Sequence, residues 1–319
     1  MAHSTTNTEH LIRSDLWSSQ LKELFEDELY ATRYIDWLDG FPDGEVFHIP
    51  SIGQGVATDY EENQAVTYSQ LATGDFTFRV TEYVQSGNYI TNKMKQDSFY
   101  MSQLVGAFVP KQHRALMKRL EVDALRIGPE RQTASDFNEI NGVAHRWVGT
   151  GPDESISLED FARARLALQK ANVPMSDLVA IVDPSVEFTF NTLANITNVS
   201  NNPMWQGIVR DGFGTGMQFR ANVYGFDVYV SQNLGQGITE TIGGGVVADG
   251  VANIFFSNAP GAGPLVGAVR QAPQVDSEYK KDLQREEFVT TMRYGLDLFR
   301  PENFVTILTD NTITDPTYA

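Results

Sequence analysis

Leu21, Leu24, Phe25 and Leu29 recur at the spacing of one helical face, and they follow a polar stretch, Met1 to Glu9, rich in Ser, Thr and Asn. The pattern predicts a mobile arm leading into a short amphipathic helix. Turn chemistry at Gly40 to Gly44 then gives way to alternation, with Phe47 and Ile49 set against Val46 and His48. Pro50 interrupts that strand and predicts an edge or a bend, because proline cannot donate to a ladder. A second alternating run places Phe76, Phe78 and Val80 against Thr77, Arg79 and Thr81. The polar residues between the two runs, from Gly53 to Gly74, make a long hairpin-like excursion. A compact monomer seldom keeps such a loop unless it works on something outside the subunit, although a solvated surface loop reads the same way.

The strongest helical periodicity follows: Met94, Met101, Leu104, Val105 and Phe108, continued by His113, Leu116, Met117 and Leu120. Pro110 between the two halves predicts a kink or a fresh helix start within one long rod. Ser157 with Asp160 forms a capping pair for a second helix whose face would be Leu158, Phe161, Ala162 and Leu166. That helix ends at Asn172 to Pro174, and the apolar run Leu178 to Val182 predicts a buried strand closed by Asp183-Pro184. From Val199 to Gly263, Gly and Asn dominate around short strands at Ala221 to Tyr224 and Phe226 to Val230, which predicts a separate, loop-rich unit. A mixed-charge stretch, Asp276 to Glu287, precedes apolar segments and a last strand through Val305, Ile307 and Thr309. The fold class is α+β.

The 319 residues, 41% hydrophobic, suffice for one large or two ordinary domains. Lys and Arg number 24 against 41 Asp and Glu, a net charge of −17. No Lys/Arg run exceeds two residues, so the basic face of a DNA-binding domain is missing. The absence of cysteine excludes disulfides, thiolate metal sites and cysteine nucleophiles. No apolar stretch nears the roughly 20 residues of a membrane span, so a soluble protein made in a cytoplasm is expected.

Candidate chemistry is sparse. His3, His10, His48, His113 and His145 show no metal-ligand spacing, so no metal is expected. Gly212, Gly214 and Gly216 fail the dinucleotide fingerprint at Met217, and no cofactor is expected. Carboxylates cluster at Glu23 to Glu28 and at Asp59, Glu61 and Glu62, on a predicted helix surface and on the excursion rather than on pocket walls. Solvated faces or inter-subunit salt bridges account for them better than acid–base catalysis does. An enzyme is therefore not expected.

Several local patterns resemble those of tailed-phage coat proteins with the Hong Kong 97-type fold, particularly short-tailed phages. They are Phe41-Pro42-Asp43-Gly44 leading to Ile49-Pro50, Val173-Pro174 leading to Val182-Asp183-Pro184, and Tyr224-Gly225-Phe226-Asp227-Val228-Tyr229-Val230-Ser231 with Asn233. Val266 to Pro273, Arg293-Tyr294-Gly295 and Arg300-Pro301-Glu302 complete the set, in the family's order over nearly the full chain. The resemblance implies an N-terminal arm (1–45), an extended loop (46–90), a peripheral domain with a spine helix (91–174, the helix to about 127), an axial domain (175–275) and a return to the peripheral domain (276–319).

It further implies a major capsid protein that self-assembles as hexamers and pentamers into an icosahedral head around double-stranded DNA, without sequence-specific binding and without a membrane. A separate scaffolding protein, a portal protein and a cement protein are the implied partners, and the virion capsid, built in the host bacterial cytoplasm, is the implied location. Tyr60, Glu61, Glu62, Tyr68 and Arg79 are the implied inter-subunit contacts. An encapsulin-type nanocompartment shell is the nearest alternative, and a soluble enzyme or ligand-binding protein is a distant one.

Overall fold

The computed structural model describes residues 29, 31–38, 46–52, 59, 62–63, 73–97, 101–192 and 219–310. The predicted polar arm Met1 to Glu9, its helix apart from Leu29, the turn at 40–44, and Gly212, Gly214 and Gly216 lie outside the described residues. In chain order the first elements are β1 (Ile35–Trp37), β2 (Val46–Ile52), β3 (Thr73–Arg79), β4 (Glu82–Thr91), α1 (Asn92–Asp97) and α2 (Met101–Arg131). Next come β5 (Arg146–Val148), α3 (Leu158–Lys170), β6 (Leu178–Val182), α4 (Pro184–Thr192), β7 (Phe219–Val223) and β8 (Phe226–Val230). The last are β9 (Ile238–Ile242), β10 (Gly245–Ser257), β11 (Leu265–Lys280), β12 (Arg285–Leu298) and β13 (Val305–Asp310).

A seven-stranded sheet runs β5-β13-β10-β6-β8-β7, with β9 paired to β10. β6 is buried along its whole length because helices cover both faces. Leu178, Ala180 and Val182 pack with Phe161, Ala164 and Leu168 of α3, whereas Val179 and Ile181 meet Ala124 and Leu125 of α2. Two helical covers on one strand turn the two-residue period of a sheet into a continuous apolar run. Phe255 sits at the centre of the α3 side, edge-on to Phe161 and Phe226 with ring centroids 5.0 and 5.4 Å away. Gly128 lets α2 approach the other side, since a Cβ there would fall 2.1 Å from the Phe304 ring.

Ser157 caps α3 with the reciprocal bonds of a capping box. Asp160 is buried and also accepts from the Trp147 indole at 3.0 Å and the Thr150 amide at 3.0 Å, tying the helix start to β5. The helix's buried face differs from the expected one. Phe161, Ala164, Ala167 and Leu168 are buried, while Ala162 and Leu166 are exposed. Small alanines facing the sheet allow close helix–sheet approach, a signal that counting bulky side chains overlooks.

A second, four-stranded sheet runs β1-β11-β12-β4. α2 lies across both sheets. Leu116 and Leu120 pack on Met292 and Tyr294 of β12, and Gln112 donates to the Phe288 carbonyl at 3.0 Å while accepting from Thr290 at 2.7 Å. The helix passes through Pro110 rather than ending there, and Pro110 is exposed. A second proline, Pro129, also lies inside it. His113, expected on the buried face, is exposed.

The Gly/Asn-rich middle is not a separate unit: β7, β8, β9 and β10 are strands of the seven-stranded sheet, and β6 lies between β10 and β8. Tyr224 and Gly225, with φ of 51° and 89°, make the tight turn between β7 and β8. Sheet membership also cuts across the sequence divisions. Residues 82–90, placed in the extended loop, pair with β12, and β13, placed in the peripheral return, pairs with β10 and β5. β11 runs unbroken through the division at 275. Each exchange reflects non-local pairing, which the pattern within one strand does not encode.

Candidate subunit interface

β2 and β3 pair in antiparallel register from Val46↔Arg79 to Ile52↔Thr73, as a two-stranded sheet of their own. Pro50 sits inside β2 opposite Asp75 rather than ending the strand. A two-stranded ribbon leaves each strand one unpaired edge, where a missing amide donor is tolerated. Such a ribbon is marginal alone, so its base must be held. Phe78 and Val80 do this, fully buried against Val266 and Ala268, with Phe76 edge-on to Phe299 at 5.1 Å. Gly295 lets the chain cross β12 closely, because a Cβ there would lie 2.5 Å from the Arg79 carbonyl oxygen. The ribbon thus leaves the body at a fixed point.

Of the five contact residues expected from sequence, two are described and they lie at opposite ends of the ribbon. Glu62 is exposed in a turn beyond its far end, and Arg79 is exposed at its base. Six residue steps separate the two ends of the ladder, about 20 Å. Tyr60, Glu61 and Tyr68 lie outside the described residues.

Arg79 opens onto a cleft of about 740 Å³ between the ribbon base, the second half of α2 and the end of β12. Inside it Arg119 pairs with Asp123 at 3.0 Å, and Arg131 makes a two-pronged contact with Asp297 at 2.6 and 3.1 Å. Asp123 also accepts from the buried Tyr294 hydroxyl at 2.6 Å. Burial and the neighbouring Asp123 carboxylate hold the Tyr294 phenol protonated far above its ordinary range, while Asp123 raises Arg119. Arg126 lines the α2 wall. No local signal marks it, since its place in the cleft comes from the packing of three separate segments.

The far end of the four-stranded sheet is a second exposed region. Tyr89, Tyr279 and Leu283 are exposed there by 44 to 59%. Arg285 stacks over Tyr89 at 4.7 Å, Asn92 donates to the Tyr279 hydroxyl at 2.7 Å, and Lys95 pairs with Glu286. Lys280 and Arg285 flank Glu287 at 2.7 and 2.6 Å and hold its carboxyl below the ordinary range, Lys280 the more strongly. Among the described residues no group of three or more His, Asp or Glu could hold a metal ion, and no helix is long and apolar enough to cross a membrane.

A family model described as phage capsid protein matches residues 79–307, well over half of the chain. The chain belongs to the phage capsid protein family. The match runs from the ribbon base through the spine helix and both sheets of this capsid protein to β13. Solved structures agree on the fold. The capsid of cyanophage P-SCSP1u superposes with a TM-score of 0.71 at 13% identity, covering 95% of this chain and 94% of that one. A Mycobacterium phage Che8 chain gives 0.67 at 16% identity, covering 93% and 97%. The mature capsid of bacteriophage PhiM1 gives 0.69 at 10% identity, covering 97% and 95%. No curated protein matches. The fold is the α+β Hong Kong 97-type capsid fold, and the capsid protein's place is the virion shell.

Proposed function

We propose that this capsid protein acts structurally rather than catalytically, forming hexamers and pentamers in which the ribbon of one subunit lies across the next. The observation that carries this reading is the ribbon, a sheet of two strands among the described residues, anchored at its base and joined by a loop in which Glu62 is exposed. An excursion of that kind gains little from its own subunit, and many modest contacts repeated around a symmetry axis add up to a stable shell. Of the loop 46–90, the ribbon part up to Arg79 is assigned to that contact with Tyr60, Glu61, Glu62, Tyr68 and Arg79, while residues 82–90 belong to the four-stranded sheet. The axial role falls to the seven-stranded sheet, which takes most of 175–275 and adds β5 and β13 from outside it, and the peripheral role falls to α2 with the four-stranded sheet, which draws β12 from 276–319 and adds β1, β4 and the first part of β11, with the rest of residues 1–45 as the arm.

A separate scaffolding protein, a portal protein and a cement protein are the partners this reading assigns, with assembly in the host bacterial cytoplasm and the net charge of −17 keeping the enclosed DNA from binding the wall tightly. Negative-stain electron microscopy of the protein expressed with its scaffolding partner is expected to show closed shells or rings of five and six. Persistent monomers under those conditions overturn the reading.

A further inference from the structure

The four-stranded sheet has two long open edges, and the chain treats them differently. Beyond Gly267, β11 pairs with β12 alone, and among the described residues β4 also has β12 as its one strand partner. Every second residue of such an edge points its amide and carbonyl away from the ladder, free to pair with a further strand. The β11 edge is blunted. Pro273 lacks a donor, the register shifts twice between Val269 and Gln274, and Asp276, Glu278 and Lys280 bring charge. β4 carries none of these devices. It pairs with β12 over ten consecutive residues without a shift, contains no proline, and is uncharged from Tyr83 to Thr91.

We propose that the β4 edge pairs with the β4 edge of a second copy, antiparallel about a two-fold axis at Gly87, so that two four-stranded sheets join into one. This rests on the shell reading above and adds a contact between copies that does not involve the ribbon. Charge selects the occupant. On a chain of net charge −17 most surfaces oppose their own copies, whereas the stretch Tyr83 to Thr91 meets itself with no like charge. Gly87 is the midpoint of that stretch, so an axis there uses all of it. It sets Tyr83 opposite Thr91 and Val84 opposite Ile90, each pair on one face of the joined sheet. An antiparallel pair of identical strands is two-fold symmetric, so the contact closes at two copies. The edge is also accessible: Tyr83, Gln85, Gly87, Asn88 and Tyr89 are exposed, while α2 covers the opposite face at Val84.

The absence of cysteine allows a direct test. Gly87→Cys is sterically open, since a Cβ there meets nothing nearer than Val289 at 3.5 Å. The proposed axis brings the two substituted residues face to face, about 5 Å apart. Assembled shells treated with a short bismaleimide are expected to give covalent dimers on a denaturing gel, and none from Ser277→Cys on the blunted β11 edge. Gln85→Cys with Tyr89→Cys in one chain serves if Gly87→Cys fails to assemble, because residue 85 of one copy then faces residue 89 of the other. Either of those two alone is expected to give no dimer, its counterpart lying roughly 14 Å away. Gly87→Asp sets two carboxylates against each other on the axis and is expected to lower shell yield about tenfold, while Gly87→Ser keeps it.

Normal shells with no dimers, from Gly87→Cys and from the double variant alike, overturn the edge pairing and leave the shell reading standing. If the β4 amides are nonetheless protected from hydrogen exchange in those shells, a different strand covers the edge, and the second copy's β4 is overturned as its occupant. Failure of the unsubstituted protein to form shells with its scaffolding partner takes both readings down, so the failures are distinguishable.

Discussion

The seven-stranded sheet and the two-stranded ribbon are both built from alternating apolar and polar residues, yet they solve opposite problems. In the large sheet almost every polar group is answered within the subunit. Buried Asn253 donates to the Ile307 carbonyl and Thr309 and accepts from the Asp183 amide. Asp160 gathers the indole, amide and hydroxyl donors around it. On the ribbon only the base is answered so, by Phe78 and Val80, while the far end keeps its charges in water. Burial fixes the fold of the subunit and the ribbon's base, and under the shell reading proposed above the exposed far end is what meets a neighbour.

Ion pairs give the contrast its sharpest test. Arg146 reaches Glu240 at 2.7 Å with side chains only 3% and 11% exposed, and its remaining donors go to the Pro129 carbonyl at 3.2 Å and Gln132 at 3.3 Å. It therefore joins the C-terminal end of α2 to β5 and β9. Arg146→Met strands the Glu240 carboxylate in a nearly dry site and is expected to cost about 3–5 kcal/mol in urea unfolding. Arg146→Met with Glu240→Met is expected to regain most of the loss. A double variant as weak as the single would show that packing rather than stranded charge sets the cost.

A smaller effect comes from His145, beside that pair in sequence. Its ring is buried, Nδ1 lies 3.1 Å from the Val143 carbonyl, and Nε2 has no hydrogen-bond partner. Burial lowers its pKa from the ordinary 6.5, against weaker raising contributions from Val143 and Glu302. The folded state therefore binds the proton less readily than the unfolded chain. As pH falls below 6.5 the unfolded state protonates first, and stability drops by at most about 1.4 kcal/mol per pH unit until the folded-state pKa is reached, where the loss levels off. His145→Gln should flatten that part of the stability profile between pH 7.5 and 5, measured against the parent protein. Identical slopes for the two would show that carboxylates alone govern the acid limb.

Legibility in the sequence followed the same division. Elements whose signals are local were readable: the Ser157 cap with Asp160, the buried run Leu178 to Val182, the two ribbon strands and the strand Phe226 to Val230. What escaped depended on which distant segment lies alongside. The strand at 82–90 alternates like its neighbour β3, and nothing within it reveals that its partner is β12. Leu166 has the bulk of a core residue and is exposed, because Ala164 and Ala167 provide the close approach. Arg126 lines a cleft that exists only once α2, β3 and β12 are brought together. Glu62 and Arg79, expected as contacts because charge on an excursion has little local use, are both exposed, and the ladder separates them rather than bringing them together.

The smallest predicted effect closes the comparison from the ribbon side. His48 Nδ1 lies 2.7 Å from Asp75 Oδ2, as short as the Arg146–Glu240 contact, but the side chains are 62% and 55% exposed. Water screens the pair and both residues give up rotamer freedom to hold it, so Asp75→Asn in the unassembled subunit is expected to change stability by no more than about 0.5 kcal/mol. Equal length with unequal worth is what differing burial requires. If the unassembled subunit loses much more than that, the ribbon is held by its own body beyond the Phe78 and Val80 anchor, and its far end is not kept for a neighbour. If the subunit is unmoved while assembled shells dissociate at lower denaturant, the pair draws its value from a second copy that shields it from water. The second result is the expected one, because desolvation by a neighbour is the one change that carries an exposed pair toward the energetics of a buried one.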